Sequence, residues 1–263
     1  MKPDLILTQI KHTDYPVFRL FLDRYREFFG RVIIYFSEHN RFPYFDHFIQ
    51  KSLSKFDCVF LDPVLTDWAT EDWRNKSTNE MLKYSKSDWI ASVEQDFFCK
   101  DWNRLLLNTQ EAMKTHDLIG WWNSTNSPYI HPSFWFIKRE ILEKTSKDFS
   151  PFPKINGCDH FGMITLDVQR LGGKIKTIQE MGFVDFDDFL HLGGVNMNYL
   201  EGLKPEYVFH RPDWFYIYNY WCRKADIPQS PLFTKISLEV EERLKKMFPD
   251  TNPQTDSRAI YFK

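Results

Sequence analysis

Two carboxylates two residues apart close an apolar run: Glu94 and Asp96 sit near the end of DWIASVEQDFF, Asp88 to Phe98. Buried and unpaired, they would be costly. A divalent cation would offset that cost, because hard cations take oxygen ligands. Mg²⁺ in particular is held by one or two carboxylates plus substrate phosphates. A strand end reaching solvent, or a helix cap, accounts for the pair equally well. Asp159, in Gly157-Cys158-Asp159-His160-Phe161-Gly162, precedes an apolar-periodic stretch and reads by itself as a helix N-cap. His191, in Leu190-His191-Leu192-Gly193-Gly194, is a lone loop histidine, and its acidic neighbours Asp185, Asp187 and Asp188 read as a solvated loop. Aromatic residues are dense, 17% of the chain. Trp and Tyr rings placed in loops would suit stacking on sugar or base faces. Packing of those rings into the core is the competing account.

The elements that must position these residues alternate in type. Leu5 to Ile10, the run RVIIYFSEHN and Cys58 to Pro63 read as three strands, and Asp88 to Phe98 as a fourth. Between them, Tyr15 to Phe29, Pro43 to Leu53 and Asp72 to Tyr84 read as helices; the first has Pro16 in its opening turn and Gly30 as its stop. Strands alternating with helices predict an α/β fold with a mostly parallel sheet flanked by helices. Ligands of such sheets bind beyond the carboxyl ends of the strands. Those ends carry Thr8 and Gln9, Glu38, Asp62, and the Glu94–Asp96 pair. Further on, Asp101 to Thr115 reads as a helix, Trp121 to Pro132 as a turn-rich loop, and SFWFIKREIL as a strand running into a short helix. Phe161 to Leu171 reads as a helix stopped by Gly172 and Gly173, KIKTI as a strand, and FLHLGG as a loop. With no repeats or linker, a single domain over 1–263 is expected. Its halves are 1–99 and 100–204, with an aromatic extension over 205–263.

Composition narrows the classes. At 43% hydrophobic and 27% charged, the chain can bury a core and is not disordered. A net charge of −2 gives no global case for nucleic acid or an anionic membrane. No G-x-G-x-x-G follows the first strand, and no P-loop motif occurs. Cys58, Cys99, Cys158 and Cys222 are far apart and form no C-x-x-C pair, so reduced thiols in a cytoplasmic setting fit best. No signal peptide and no apolar run of about 18–20 residues is present, so no transmembrane helix is expected and membrane contact would be peripheral.

The order Trp73-Arg74-Asn75 opening a helix, then S-D-W-I and acid-x-acid, resembles glycosyltransferase family 2 and the wider GT-A fold. The likeness covers roughly Asp4 to Val195. It implies a Rossmann-like sheet completed by a smaller acceptor-side subdomain. It implies that Glu94 and Asp96 hold Mn²⁺ or Mg²⁺ bound to the donor diphosphate, with Glu standing where the family has Asp. Arg74 and Asn75 would lie near the nucleotide, as would Thr8, Gln9 and Glu38, whose carboxylate could accept from a uracil N–H and so favours UDP. Asp159 would be the catalytic base, with Cys158 in place of the family's Glu and His160 as the rival base. His191 would complete the metal shell. Trp121, Trp122, His131 and Trp135 would face the acceptor, and Trp214 would cover it. The expected activity is transfer of a sugar from a nucleotide-sugar to an acceptor hydroxyl, with inversion. A glycan is the favoured acceptor, and hydroxymethylated bases in viral DNA the alternative. A non-catalytic nucleotide-sugar or carbohydrate-binding protein is the reading from another class, and a metal-dependent nucleotidyltransferase or phosphohydrolase a third.

Overall fold

A computed structural model describes residues 2–9, 22, 25–36, 57–61, 73–94, 97–99, 101–123, 129–150, 160–184 and 188–191. The expected helix over Pro43 to Leu53 lies outside them, as do residues 15–21, 23 and 24 of the helix expected over Tyr15 to Phe29, and everything after His191.

Four apolar runs form the heart of the sheet: β1 (Asp4–Gln9), β2 (Val32–Phe36), β3 (Cys58–Leu61) and β4 (Trp89–Val93). Alternation along each strand sends side chains to opposite faces. Leu5, Leu7, Val32, Ile34, Trp89, Ala91 and Val93 join one core cluster. Ile6, Ile33, Tyr35 and Ile90 join the other. Both faces are covered, which is why these strands read as nearly continuous apolar runs. Three more strands complete the seven-stranded sheet: β6 (Leu118–Asn123), β7 (Tyr129–Lys138) and β8 (Ile175–Thr177). The order is β3-β2-β1-β4-β7-β6-β8. Pairings β1–β2, β2–β3, β1–β4 and β6–β8 are parallel, and β7 runs antiparallel to β4 and β6.

Helices cover both faces. On the first, α2 (Trp102–Ala112) buries Trp102, Leu105 and Leu106 with Leu22, Tyr25 and Phe29. The Asp101 carboxylate caps that helix by accepting from the Arg104 amide at 2.9 Å. On the second face lie α1 (Trp73–Leu82), α3 (Arg139–Leu142) and α4 (Gly162–Arg170), contributing Met81, Leu142, Ile164 and Val168. Among the described residues no helix is long and apolar enough to cross a membrane.

Three local readings of the sequence change. The run Asp88 to Phe98 is two strands: β4 stops at Val93, and β5 (Phe97–Cys99) starts a separate ladder. FLHLGG is not all loop, since Phe189–His191 forms β9, antiparallel to β5. Trp121 to Pro132 is not simply a loop either: its two ends belong to β6 and β7, and residues 124–128 lie outside the described set. Pro132 is accommodated by a bulge. Between the pairs Gly120–Trp135 and Trp122–Ile130, β6 advances two residues while β7 advances five. Proline is tolerated at such bulges because the ladder is already interrupted there.

The bulge explains a glycine. A Cβ on Gly120 would stand 2.4 Å from Ile130 Cγ2 and 2.7 Å from the Phe134 carbonyl oxygen. Gly120→Ala is therefore expected to destabilise the fold by about 1–3 kcal/mol, the cost of forced overpacking. Denaturant melting checks this, and a variant as stable as the parent would show that the bulge yields freely.

Candidate functional site

The strand order reverses between β1 and β4: β2 and β3 follow outward on one side of β1, and β4 lies on its other side, followed by β7, β6 and β8. In open α/β sheets such a switch point leaves a crevice beyond the carboxyl ends of the two strands. β1 pairs with β4 from Asp4–Ile90 to Ile6–Ser92. Extending that parallel register by two residues brings Thr8 level with Glu94. The backbone of Thr8 and Gln9 is paired to Tyr35 and Phe36 on the other side.

Glu94 is held at three points. Its amide donates to the Ser133 carbonyl at 2.8 Å, and its own carbonyl accepts from the Phe97 amide at 3.1 Å. Its carboxylate accepts from Arg74 Nη1 at 2.6 Å, with the two side chains 19% and 25% exposed. That is a charge-assisted bond in a partly desolvated place. Arg74 reaches it from the first turn of α1. Asn75, the next residue, faces elsewhere: its Oδ1 accepts from the Phe149 amide at 3.1 Å and from Asn79 Nδ2 at 2.8 Å. Asn79 Nδ2 also donates to the Lys147 carbonyl at 3.0 Å. Asn75 thus staples α1 to the 147–149 segment, while Arg74 serves the end of β4.

The tight Glu94–Phe97 turn sends the chain into β5, and β5 meets β9. Phe97 pairs with His191, Phe98 with Leu190 and Cys99 with Phe189. The backbone of His191 therefore lies directly opposite the residue that follows Asp96, although almost a hundred residues separate them in the chain. Asp96, Glu38, Asp159 and Trp214, and the side chain of His191, lie outside what the structure describes. Among the described residues no three His, Cys, Asp or Glu side chains converge. Burial pushes the thiols of the two described cysteines, Cys58 and Cys99, up to about 12.

The aromatic candidates separate by burial. Trp135 is 3% exposed, and its ring stacks on Phe161 at 4.5 Å. A ring committed to the core cannot stack on a sugar, so the acceptor-facing expectation for Trp135 gives way to a packing role. His131 is 8% exposed and lies in the bulge. Its Nδ1 accepts from the Ser133 amide at 3.2 Å and sits 2.8 Å from Ser133 Oγ. Trp121 is half-buried and rests on His131 at 4.4 Å, on Phe189 at 5.7 Å and on Phe97 at 6.2 Å. Trp122 is also half-buried but packs against the opposite core. Gln179, in a 3₁₀ turn after β8, fixes its main chain from both sides. The Trp122 amide donates to Gln179 Oε1 at 3.2 Å, and Gln179 Nε2 donates to the Trp122 carbonyl at 2.8 Å. Sequence reasoning missed Ser133 and Gln179, because each acts through a partner far away in the chain.

The cap position of α4 is taken by Phe161, whose own side chain makes no capping hydrogen bond. The Phe161 ring, two residues on from Asp159, stacks on Trp135, which pairs with Ser92, two residues before Glu94.

No protein-family profile matches the chain, and no curated protein matches it in sequence. Solved structures of similar shape exist. One is a protein of Desulfovibrio desulfuricans G20 assigned as a nucleotide-diphospho-sugar transferase: 9% identity, TM-score 0.48, 86% of this chain and 100% of that one. A second is S. aureus TarS, at 11% identity and TM-score 0.47, covering 93% of this chain; this chain spans 44% of that structure. A third is glucosyl-3-phosphoglycerate synthase from Mycobacterium tuberculosis, solved with Mn²⁺, UDP and glucosyl-3-phosphoglycerate. It has 10% identity and a TM-score of 0.44, over 67% of this chain and 68% of that one.

Proposed function

We propose that this chain is a metal-dependent glycosyltransferase of the GT-A type, moving a sugar from a nucleotide-sugar, UDP-linked by preference, to an acceptor hydroxyl on a glycan. The observation that carries the proposal is the β5–β9 pairing. It draws His191 to the turn that bears Glu94 and Asp96, at the carboxyl end of β4 beside the switch point. Two carboxylates and an imidazole are the donor set that suits Mn²⁺, and oxygen donors alone suit Mg²⁺.

Glu94, Asp96 and His191 are the residues that would hold the cation, and the Glu94 carboxylate, already bonded to Arg74, also orients that guanidinium toward the nucleotide side of the site. Thr8 and Gln9 close β1, Glu38 comes two residues after β2 in the chain, and a nucleoside would lie against them. Asp159 takes the proton of the acceptor hydroxyl as its oxygen attacks the anomeric carbon. The bond from that carbon to the diphosphate oxygen breaks in the same in-line displacement, and its electron pair leaves with the nucleoside diphosphate, so the configuration inverts. A bound divalent cation supplies Lewis-acid neutralisation of the charge on that leaving group. Trp121, braced by three rings, offers a rigid face for a pyranose, and Trp122 stands on the face shared with Phe161.

The test is UDP release from a panel of UDP-sugars without added acceptor, with Mn²⁺ and with EDTA, in the parent and in Asp96→Ala. Release from one donor that needs the metal, and falls by about two orders of magnitude or more in the variant, is the expected result. No release together with no metal-dependent UDP binding would overturn the assignment. It would leave a carbohydrate-binding protein as the reading to pursue.

A further inference from the structure

The ladder that brings His191 to the site is short. β5 and β9 have three residues each and pair in a two-stranded sheet. A lone two-stranded ladder is marginal by itself, and a slip of one residue would turn every β9 side chain to the other face. Something outside the ladder must fix its register.

Two contacts just upstream of β9 can do so. Arg104, in the first turn of α2, donates from Nη2 to the Gly182 carbonyl at 3.0 Å, and its guanidinium carbon stands 4.4 Å from the centre of the Phe183 ring. Gly182 has φ of 82°, and a Cβ there would come within 3.2 Å of Arg104 Nη2, so the turn is shaped for this contact. Phe183 is 2% exposed, and its amide donates to the Ile178 carbonyl at 3.2 Å. Next, Asp188 closes the chain on itself. Its Oδ2 accepts from the Val184 amide at 2.9 Å, and its own amide donates to the Val184 carbonyl at 2.8 Å. Phe189 follows at once as the first residue of β9, with its ring against Phe97 at 5.6 Å. Because α2 starts three residues after β5, Arg104 measures the entry to β9 from the same piece of chain that β9 must pair with.

We infer that Arg104 and Asp188 are positioning residues that set the register of β9 and thereby deliver His191 to the metal; the inference rests on the ligand role given to His191 above. The readout is Mn²⁺ affinity in the presence of UDP, by titration calorimetry, with amide exchange across β9 measured in parallel. Arg104→Ala and Asp188→Ala are each expected to weaken Mn²⁺ by about tenfold, as loss of supporting partners around a metal site commonly does. Exchange should quicken at β9 and not in the seven-stranded sheet. His191→Ala should weaken Mn²⁺ at least as much. Adding Arg104→Ala to it should then cost nothing further, since both act through one group. Unchanged Mn²⁺ affinity in Arg104→Ala, or full additivity with His191→Ala, would overturn the register inference and leave the ligand intact. Unchanged affinity in His191→Ala would instead sink the ligand assignment, and this inference with it. Should Arg104→Ala fail to fold, Asp188→Ala against His191→Ala makes the same cycle.

Discussion

Asp159→Asn should slow UDP release by about 10²- to 10⁴-fold, the range for loss of a general base, and leave Mn²⁺-dependent UDP binding within about twofold of the parent. The amide keeps the size of the carboxylate but cannot take a proton. One feature ties Asp159 to the site: Phe161, two residues on, is pinned on Trp135, whose strand partner Ser92 lies two residues before Glu94. The chain just beyond Asp159 is thereby tethered to the end of β4. An equal fall in UDP binding would mean that Asp159 serves the donor. An unchanged rate would remove it from the mechanism, and His160→Ala would be the variant to measure next.

How much of this was legible beforehand follows from how far each signal travels along the chain. The inner strands are local facts: Leu5 to Leu7, Val32 to Tyr35 and Trp89 to Ala91 are apolar on both faces, and the structure buries them on both faces. The end of β4 was invisible because Phe97 and Phe98 continue the apolar run past Glu94, and the run reads as one strand. What breaks it is the Glu94–Phe97 hydrogen bond and a new partner, β9, supplied from far along the chain. β9 itself, three residues before two glycines, has no period to read. Trp121 to Pro132 looked like a loop because of Asn, Ser and two prolines, yet Tyr129 and Ile130 are buried and the bulge takes up Pro132. Trp135 was misread for the opposite reason: a tryptophan near a suspected site invites a ligand, but strand alternation turns it onto Phe161. Pairs such as Trp122 with Gln179, or Arg104 with Gly182, join residues 57 and 78 positions apart, and nothing at either end announces them.

The largest effect on stability is expected at the other end of the sheet, at Asp4. It is 4% exposed, at the start of β1. Its Oδ2 accepts from the Lys86 amide at 2.7 Å, the Ser87 amide at 3.0 Å and the Ser85 hydroxyl at 3.0 Å. Its Oδ1 accepts from the Arg31 amide at 2.9 Å. Arg139 braces the same turn, donating from Nη2 to Ser85 Oγ and from Nε to the Ser87 carbonyl, both at 2.8 Å. One carboxylate thus joins the start of β1, the start of β2 and the turn that leads into β4. Burial pushes its carboxyl up, but the Ser87, Lys86 and Arg31 amides and the Ser85 hydroxyl together outweigh that. The net result lies below the ordinary 3.8. Asp4→Asn must aim an NH₂ group at donors on one side or the other, and at least one buried N–H loses its acceptor. A loss of about 3 kcal/mol is expected. At about 2–4 °C per kcal/mol for a chain of this size, the melting temperature should fall by about 6–12 °C. The pH dependence has a definite sign. Because the folded state lowers the pKa, the carboxylate's contribution is complete above the unfolded value near 3.8 and disappears as pH falls through the folded value. Parent and Asp4→Asn should therefore differ by a constant amount from neutral pH down to about pH 5, and converge only below pH 4. A gap that closes between pH 7 and pH 5 would mean that another group, not Asp4, holds the three strand starts together.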